Sequence, residues 1–444
     1  MGKMSRVAVI KQAQAAGKLY LAGEYAVVEP GHPAVLVAVD RTLTARVSGP
    51  GTDRVGGAAD TQTGRIESAG HPEACTDWHR EEGVLTPDVR PDRPSYLLAA
   101  VRTVEELVIE RGIAPRSFDL DISSRLDAQS GKKYGLGSSA AVAVATVRAL
   151  LDFYGLALSP METYKLAYLA TGRAQSLGSG GDLAASLFGG CIRFCSPDRA
   201  WVRERVAATS LSRLIEEPWP ALSITRLRAF GPDSPLRLLV GWTGSPASTP
   251  SLVASVKQRS GDGRRGRYER FLDDSDTCVD ALAGALDAGD LGEVRECVAQ
   301  ARTLLTGLSA LTDTAIETPA LRTLVELALV RGAAAKSSGA GGGDCGIAIV
   351  GGQDSRGDES SLDGKLVQET QGAQPSQPFE GASERGSGSV PAQGQAAAVR
   401  AAWARAGIEP LDVSVIRPLA SLENWAPASA GPGGAAPGAD KERA

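Results

Sequence analysis

The sequence predicts an α+β protein of two lobes. Short β-rich runs bounded by Gly, Pro and Asp dominate its first third. Helical spacing of apolar residues takes over from Ser138, and strand-like runs then return singly between helices. Elements in this mixed order favour α+β architecture. At 444 residues the chain can bury one large core or two joined ones, since domains run to roughly 100–250 residues.

The first strands are read at "KLYLAG" (18–23), "AVLVAVD" (34–40), "LTARVSG" (43–49) and "SFDLDIS" (117–123), all apolar or alternating. Gly49 to Asp92 is polar and turn-rich, which predicts a long excursion. Apolar spacing predicts a helix over Ser95 to Arg111, and the Ala- and Val-rich run after Ser138 another. Ser159, Pro160 and Glu162 spell a capping box at the start of the next helix. Strands follow at "CIRFC" (191–195) and "LRLLVGW" (236–242), then helices over 264–288, 290–311 and 319–332. A strand "GIAIV" (346–350), a helix around 395–407 and a last strand "LDVSVI" (411–416) complete the ordered chain. The expected lobes are 1–200 and 201–425. Residues 353–395 are rich in Gly, Ser, Gln and Pro, too poor in apolar surface to offset ordering entropy, and are expected to be a disordered insertion. A tail over 426–444 reads the same way.

Charge and cysteine usage exclude several classes. The formal net charge of −5 gives no basic footprint, so nucleic acid is not an expected partner. The most apolar long run, Ala140 to Leu158, is interrupted by Arg148 and Asp152 and reads as a buried helix, not a membrane span. Six cysteines without a CxxC pair indicate a reducing compartment. The N-terminal stretch lacks an apolar core and small-residue cleavage site, so a cytoplasmic location is expected.

Chemistry concentrates in three glycine-rich segments. In "KKYGLGSSAA" (132–141), Gly135 and Gly137 let backbone approach a ligand, and Ser138 and Ser139 open a helix whose first N–H groups favour an anion. The same residues also read as an N-capped helix after a tight turn. "GLGSSA" fits a dinucleotide fingerprint too, but the nearest acid, Asp152, still lies on the predicted helix, where that fold needs one on a second strand. In "GSGGDLAASLFGG" (178–190), Asp182 begins a helix, either complementing its dipole or facing a pocket. In "KSSGAGGGDCGIAI" (336–349), four glycines in five positions are entropically costly and suggest a backbone wall against a ligand. "GKLYLAGEYAVV" (17–28) adds Lys18, Glu24 and Tyr25. His71, Cys75 and His79 have metal-ligand spacing, but Pro72 breaks any helix that would align them.

Taken in this order, the segments resemble the GHMP kinase superfamily, from about Gly17 to Ile416. The resemblance implies an N-terminal lobe like ribosomal protein S5, with a left-handed βαβ feature, and a ferredoxin-like C-terminal lobe. It implies ATP and Mg²⁺ as cofactors, with Lys18 and Asp182 as catalytic residues. Lys132, Lys133, Gly135, Leu136, Gly137, Ser138, Ser139 and Ala140 would cradle the nucleotide, Ser139 also ligating the metal. Glu24, Tyr25, Ser179, Gly180, Ser245, Gly339, Ala340 and Gly341 are the expected acceptor contacts. The paired lysines before the loop, Tyr25 in "GEYAVV" and "GWTGSPASTPSLV" (241–253) resemble the branch that phosphorylates (R)-5-phosphomevalonate on the mevalonate route to isoprenoids. An alcohol acceptor such as mevalonate or homoserine, or a non-catalytic sensor on the same fold, is the alternative. A monomer or homodimer, without nucleic acid or membrane, is the expected state.

Overall fold

Two long antiparallel strands, β1 (Lys11–Ala22) and β2 (Pro33–Ser48), form the spine of the first lobe. The two runs read separately as strands at 34–40 and 43–49 are one continuous strand. The pairing slips between Ala16 and Gly17, where Asp40 and Arg41 are the extra residues on β2, and again after Tyr20. At the first slip a Cβ on Gly17 would lie 2.8 Å from the Leu126 side chain and 3.1 Å from the Arg41 carbonyl, so glycine is needed beside Lys18. This computed structural model describes residues 10–50, 62–89, 91, 95–128, 131–245, 249–260, 264–351 and 392–417.

The predicted excursion is not merely loop. It forms β3 (Thr63–Ser68), β4 (Thr76–Glu81) and β5 (Val84–Pro87), which extend the sheet. Each points one main apolar anchor inward, Ile66, Trp78 and Leu85, among charged or polar outward residues. So little apolar content hides a strand from sequence inspection. With β6 (Asp119–Ser124), β7 (Cys191–Cys195) and β8 (Ser223–Leu227), the order is β5-β4-β3-β6-β2-β7-β8, and β1 pairs with β2. Strand β3 runs parallel to β6, and helix α1 (Tyr96–Glu110) lies in the connection between them. Because β8 pairs with β7, the first sheet takes in residues beyond 200.

Helices α2 (Ser138–Tyr154) and α4 (Gly181–Phe188) pack on β1 and β2, with α1 and α3 (Pro160–Ala174) against α2. The capping box at Ser159 is present, with Ser159 and Glu162 exchanging side-chain bonds to backbone N–H groups. Two short helices, α5 (Arg199–Ala208) and α6 (Leu211–Glu216), precede β8.

The second lobe begins with β9 (Leu236–Trp242). Four helices follow: α7 (Thr249–Arg259), α8 (Arg265–Ala288), α9 (Leu291–Thr312) and α10 (Pro319–Leu329). Then come β10 (Ala334–Ser337), β11 (Cys345–Gly351), α11 (Ala392–Arg405) and β12 (Glu409–Leu411). The sheet order β10-β11-β9-β12, antiparallel throughout, is the ferredoxin-like arrangement in which β11 lies between the strands of a βαβ unit. Helix α11 starts three residues before the expected 395. The remainder of the expected insertion, apart from that helix start, and the tail at 426–444 lie outside the described residues.

The predicted final strand is divided. β12 stops at Leu411, and the chain then crosses back to the first sheet, where Val415 bridges Val39. Asp40 N–H donates to Ser414 O at 2.9 Å, Ile416 N–H to Ala38 O at 3.0 Å and Gly190 N–H to Ile416 O at 3.0 Å. One hydrophobic cluster runs through both lobes, from β1 and α2 to β9, α8 and β11.

Candidate active site between the lobes

Lys18 lies on β1 directly below the glycine loop that starts α2. Its backbone N–H donates to Leu136 O at 2.9 Å, pinning loop to strand. Gly135 and Gly137 have φ of +80° and +83°, the left-handed region that favours glycine. A Cβ on Gly137 would sit 2.9 Å from both Cγ and Cε of Lys18, so the lysine stem occupies the space a side chain would need. A Cβ on Gly135 would meet the Asp344 carboxyl carbon at 2.4 Å, so this loop also abuts the third glycine segment. Leu136 is buried under the loop, Ala140 is 7% exposed, and Ser139 is exposed.

The start of α2 differs from that of five other helices here. Ser95, Ser159, Asp198, Asp290 and Thr318 cap α1, α3, α5, α9 and α10 with side-chain oxygens. Gly137 and Gly180, which begin α2 and α4, provide none. The leading amides and positive dipole end of α2 therefore face the loop without a side-chain oxygen on them, the arrangement that suits a phosphate. Gly137→Ala would force a side chain into Lys18 and strain a left-handed backbone, costing on the order of 1–3 kcal/mol. The expected result is a raised KM for ATP with a lowered unfolding midpoint, read by steady-state kinetics and urea denaturation.

Lys132 and Lys133 are both exposed. Lys132 Nζ reaches Gly244 O in the opposite lobe at 3.5 Å, and Lys133 forms a backbone bridge with Asp127.

The second segment delivers Asp182 to Lys18. Gly180, at φ +85°, turns the chain under Tyr164 and Tyr168, where a Cβ would lie 2.5 Å from the Tyr164 hydroxyl. Asp182 in the first turn of α4 then sets Oδ2 3.7 Å from Lys18 Nζ. The lysine side chain is 9% exposed and the aspartate 38%, so the pair forms a wall with its carboxylate toward solvent. The Tyr20 hydroxyl donates to Asp182 Oδ1 at 3.1 Å. Ser179, half-buried, accepts from Gly181 N–H at 3.4 Å.

Two expected acceptor contacts turn inward instead. Glu24 and Tyr25 are each 4% exposed. Lys336, fully buried on β10, donates to the Glu24 carboxylate and to Ser337 O, and Glu24 Oε1 also accepts from Gly339 N–H at 3.3 Å. The Tyr25 hydroxyl donates to Ala340 O at 2.5 Å. Both residues thus fasten the N-terminal strand to the third glycine segment. Their local sequence carries no sign of partners more than 300 residues away.

Within that third segment, Gly341 passes over Ile316 O, which a Cβ would meet at 2.1 Å, while a Cβ on Gly339 would meet only open space. Asp344 N–H donates to the exposed Ser245 at its carbonyl, 2.7 Å away. Of the glycine wall, Gly341 is therefore a packing residue and Gly339 has open space beside it, while the half-buried Ala340 packs against the apolar cluster of Tyr25 and Ile316. His71 and His79 pair with different carboxylates: Glu73 at 3.1 Å and Asp127 at 3.5 Å for the first, Asp88 at 2.7 Å for the second. Sequence reading passed over Tyr20, although its position two residues after Lys18 on a strand places it on the same face. It also passed over Ser338, whose hydroxyl bonds both the N–H and the carbonyl of Tyr20.

Residues 95–190 match the family model for the GHMP kinases N terminal domain, and 282–362 that for the GHMP kinases C terminal domain. A phosphomevalonate kinase from Streptomyces sp. (strain CL190) is 43% identical over 348 residues, covering 77% of this chain and 90% of that one. The chain belongs to the GHMP kinase family. A mevalonate kinase from Thermococcus sibiricus (strain DSM 12597 / MM 739) is 28% identical, over 76% of this GHMP kinase and 88% of the relative. Among solved structures, the Streptococcus pneumoniae phosphomevalonate kinase in complex with phosphomevalonate and AMPPNP aligns with a TM-score of 0.67 at 29% identity, over 91% of this chain and 99% of that one. The family's two-lobed fold and the observed topology agree.

Proposed function

We propose that this GHMP kinase transfers the γ-phosphoryl of ATP to the terminal phosphate of (R)-5-phosphomevalonate, giving 5-diphosphomevalonate and ADP on the mevalonate route to isoprenoids. The observation that carries this is the Lys18–Asp182 pair set beside the uncapped loop of α2, in a chain 43% identical to a phosphomevalonate kinase. An acceptor phosphate oxygen forms the new bond to the γ-phosphorus as the bond to the β-bridging oxygen breaks, and ADP leaves with that electron pair.

Donor and acceptor are both anionic. The acceptor's second pKa lies near ~6, so at neutral pH it is already a largely ionised nucleophile. Repulsion between phosphates is then the greater obstacle, and positive charge with exact placement is the remedy. Lys18 bridges transferring phosphoryl and acceptor, and Asp182 orients Lys18 without being an obligatory base. The amides from Gly135 to Ala140 hold the β- and γ-phosphates, and Lys132 or Lys133 screens donor or acceptor. Ser179, Gly180, Ser245, Gly339 and Ala340 are the acceptor contacts. A small-molecule substrate, a cytoplasmic location and a monomer or homodimer accompany this reading. Among the described residues no helix is long and apolar enough to cross a membrane.

Magnesium fits the donor set here. No group of three or more His, Cys, Asp or Glu among the described residues could cage a metal. Mg²⁺ bound chiefly by phosphate oxygens and water needs only one or two protein oxygens, and the Ser139 hydroxyl, exposed in the first turn of α2, would be one of them. Once bound, it neutralises charge on the β- and γ-phosphates. An ADP-release assay with phosphomevalonate, mevalonate and homoserine in parallel tests the reading. Turnover is expected with phosphomevalonate; a higher kcat/KM on either alcohol overturns it.

A further inference from the structure

We infer that Tyr20 is a positioning residue that holds Asp182 in register with Lys18 for phosphoryl transfer. This rests on the phosphomevalonate reading and deepens it. Tyr20 follows Lys18 by two positions on β1, so both side chains leave the same face of the strand. Its hydroxyl donates to Asp182 Oδ1 at 3.1 Å, while Oδ2 faces Lys18 Nζ at 3.7 Å. One carboxylate is therefore divided between two partners, one oxygen each. The lysine ammonium also lies 5.4 Å from the centre of the tyrosine ring, within range of a cation–π attraction.

The tyrosine itself is tightly held. Ser338, from the opposite lobe, accepts from Tyr20 N–H at 2.9 Å and donates to Tyr20 O at 3.0 Å, so one side chain closes both backbone groups. The hydroxyl occupies a slot left by Gly181, where a Cβ would lie 2.7 Å away. The residue is 7% exposed. Burial, and then the neighbouring Asp182 carboxylate, push its phenol well above the ordinary value, so it stays a donor through the working pH range.

This arrangement suits the chemistry proposed for Asp182. A carboxylate held by a buried O–H donor is a well-fixed counter-ion for Lys18. An acceptor that is already ionised needs that more than it needs a base. The third glycine segment thereby reaches the reacting centre through Ser338 and Tyr20.

Tyr20→Phe removes the hydroxyl and keeps the ring. The expected result is a fall in kcat of about 10- to 100-fold, as for a small misplacement of reacting groups, with KM for ATP little changed. In an Asp182→Ala background, where the phenol has lost its acceptor, the same change should cost much less, because the two act as one unit. Ser338→Ala, with the phenol intact, should lower kcat in the same direction. If wild-type protein turns over phosphomevalonate but Tyr20→Phe keeps full kcat, or its loss multiplies with that of Asp182→Ala, the positioning role is overturned and the substrate reading stands. If Tyr20→Phe does not fold, unchanged kcat in Ser338→Ala overturns the role. Wild-type protein inactive on all three acceptors overturns both.

Discussion

Lys18→Met should lower kcat by about 10²–10³, the cost of removing one preorganised charge donor from a transition state. Methionine keeps most of the aliphatic stem that fills the space beside Gly137, so loop geometry and KM for ATP should change far less than kcat. Asp182→Asn retains size and can still accept from Tyr20, so its loss should be the smaller of the two. Steady-state ADP release at saturating ATP and phosphomevalonate measures both. Near-complete loss in Asp182→Asn with most activity retained in Lys18→Met would sink the charge-first account and make Asp182 an essential base.

The largest effect on stability is expected at Lys336, whose side chain is fully buried. Lys336→Met leaves the Glu24 carboxylate buried without its cation, and Glu24 Oε2 already has no hydrogen-bond partner among the described residues. Breaking a buried ion pair from one side costs about 3–5 kcal/mol, a large share of the roughly 5–15 kcal/mol that holds a domain folded. Urea denaturation with an unchanged m-value would register it. Glu24→Gln combined with Lys336→Met should recover part of the loss, because no isolated charge remains. A single mutant as stable as wild type would show that the pair contributes little.

Much of the site was legible because its signals are local. Gly135 and Gly137 announce close backbone approach within a few residues of the helix they start, and Ser159 with Glu162 marks a helix start by spacing alone. What stayed hidden depends on distant partners. Glu24 reads as a ligand-facing acid until Lys336, 312 positions away, is found against it. Strands β3 to β5 escape notice because Ile66, Trp78 and Leu85 are nearly alone in pointing inward. "LDVSVI" has a uniform strand pattern, yet its two ends serve different sheets. Periodicity reports that a segment pairs, not with what.

The return of residues 414–416 to β2 also bears on how the molecule is made. The backbone of Ala38 and Asp40, translated early, awaits partners encoded almost 380 positions later. Domains usually settle one after another as they leave the ribosome, at about 5–20 residues per second. Here the first lobe would spend some tens of seconds with that stretch of its sheet incomplete. The two lobes are architecturally distinct, but the nascent chain cannot finish the first before it has nearly finished the second.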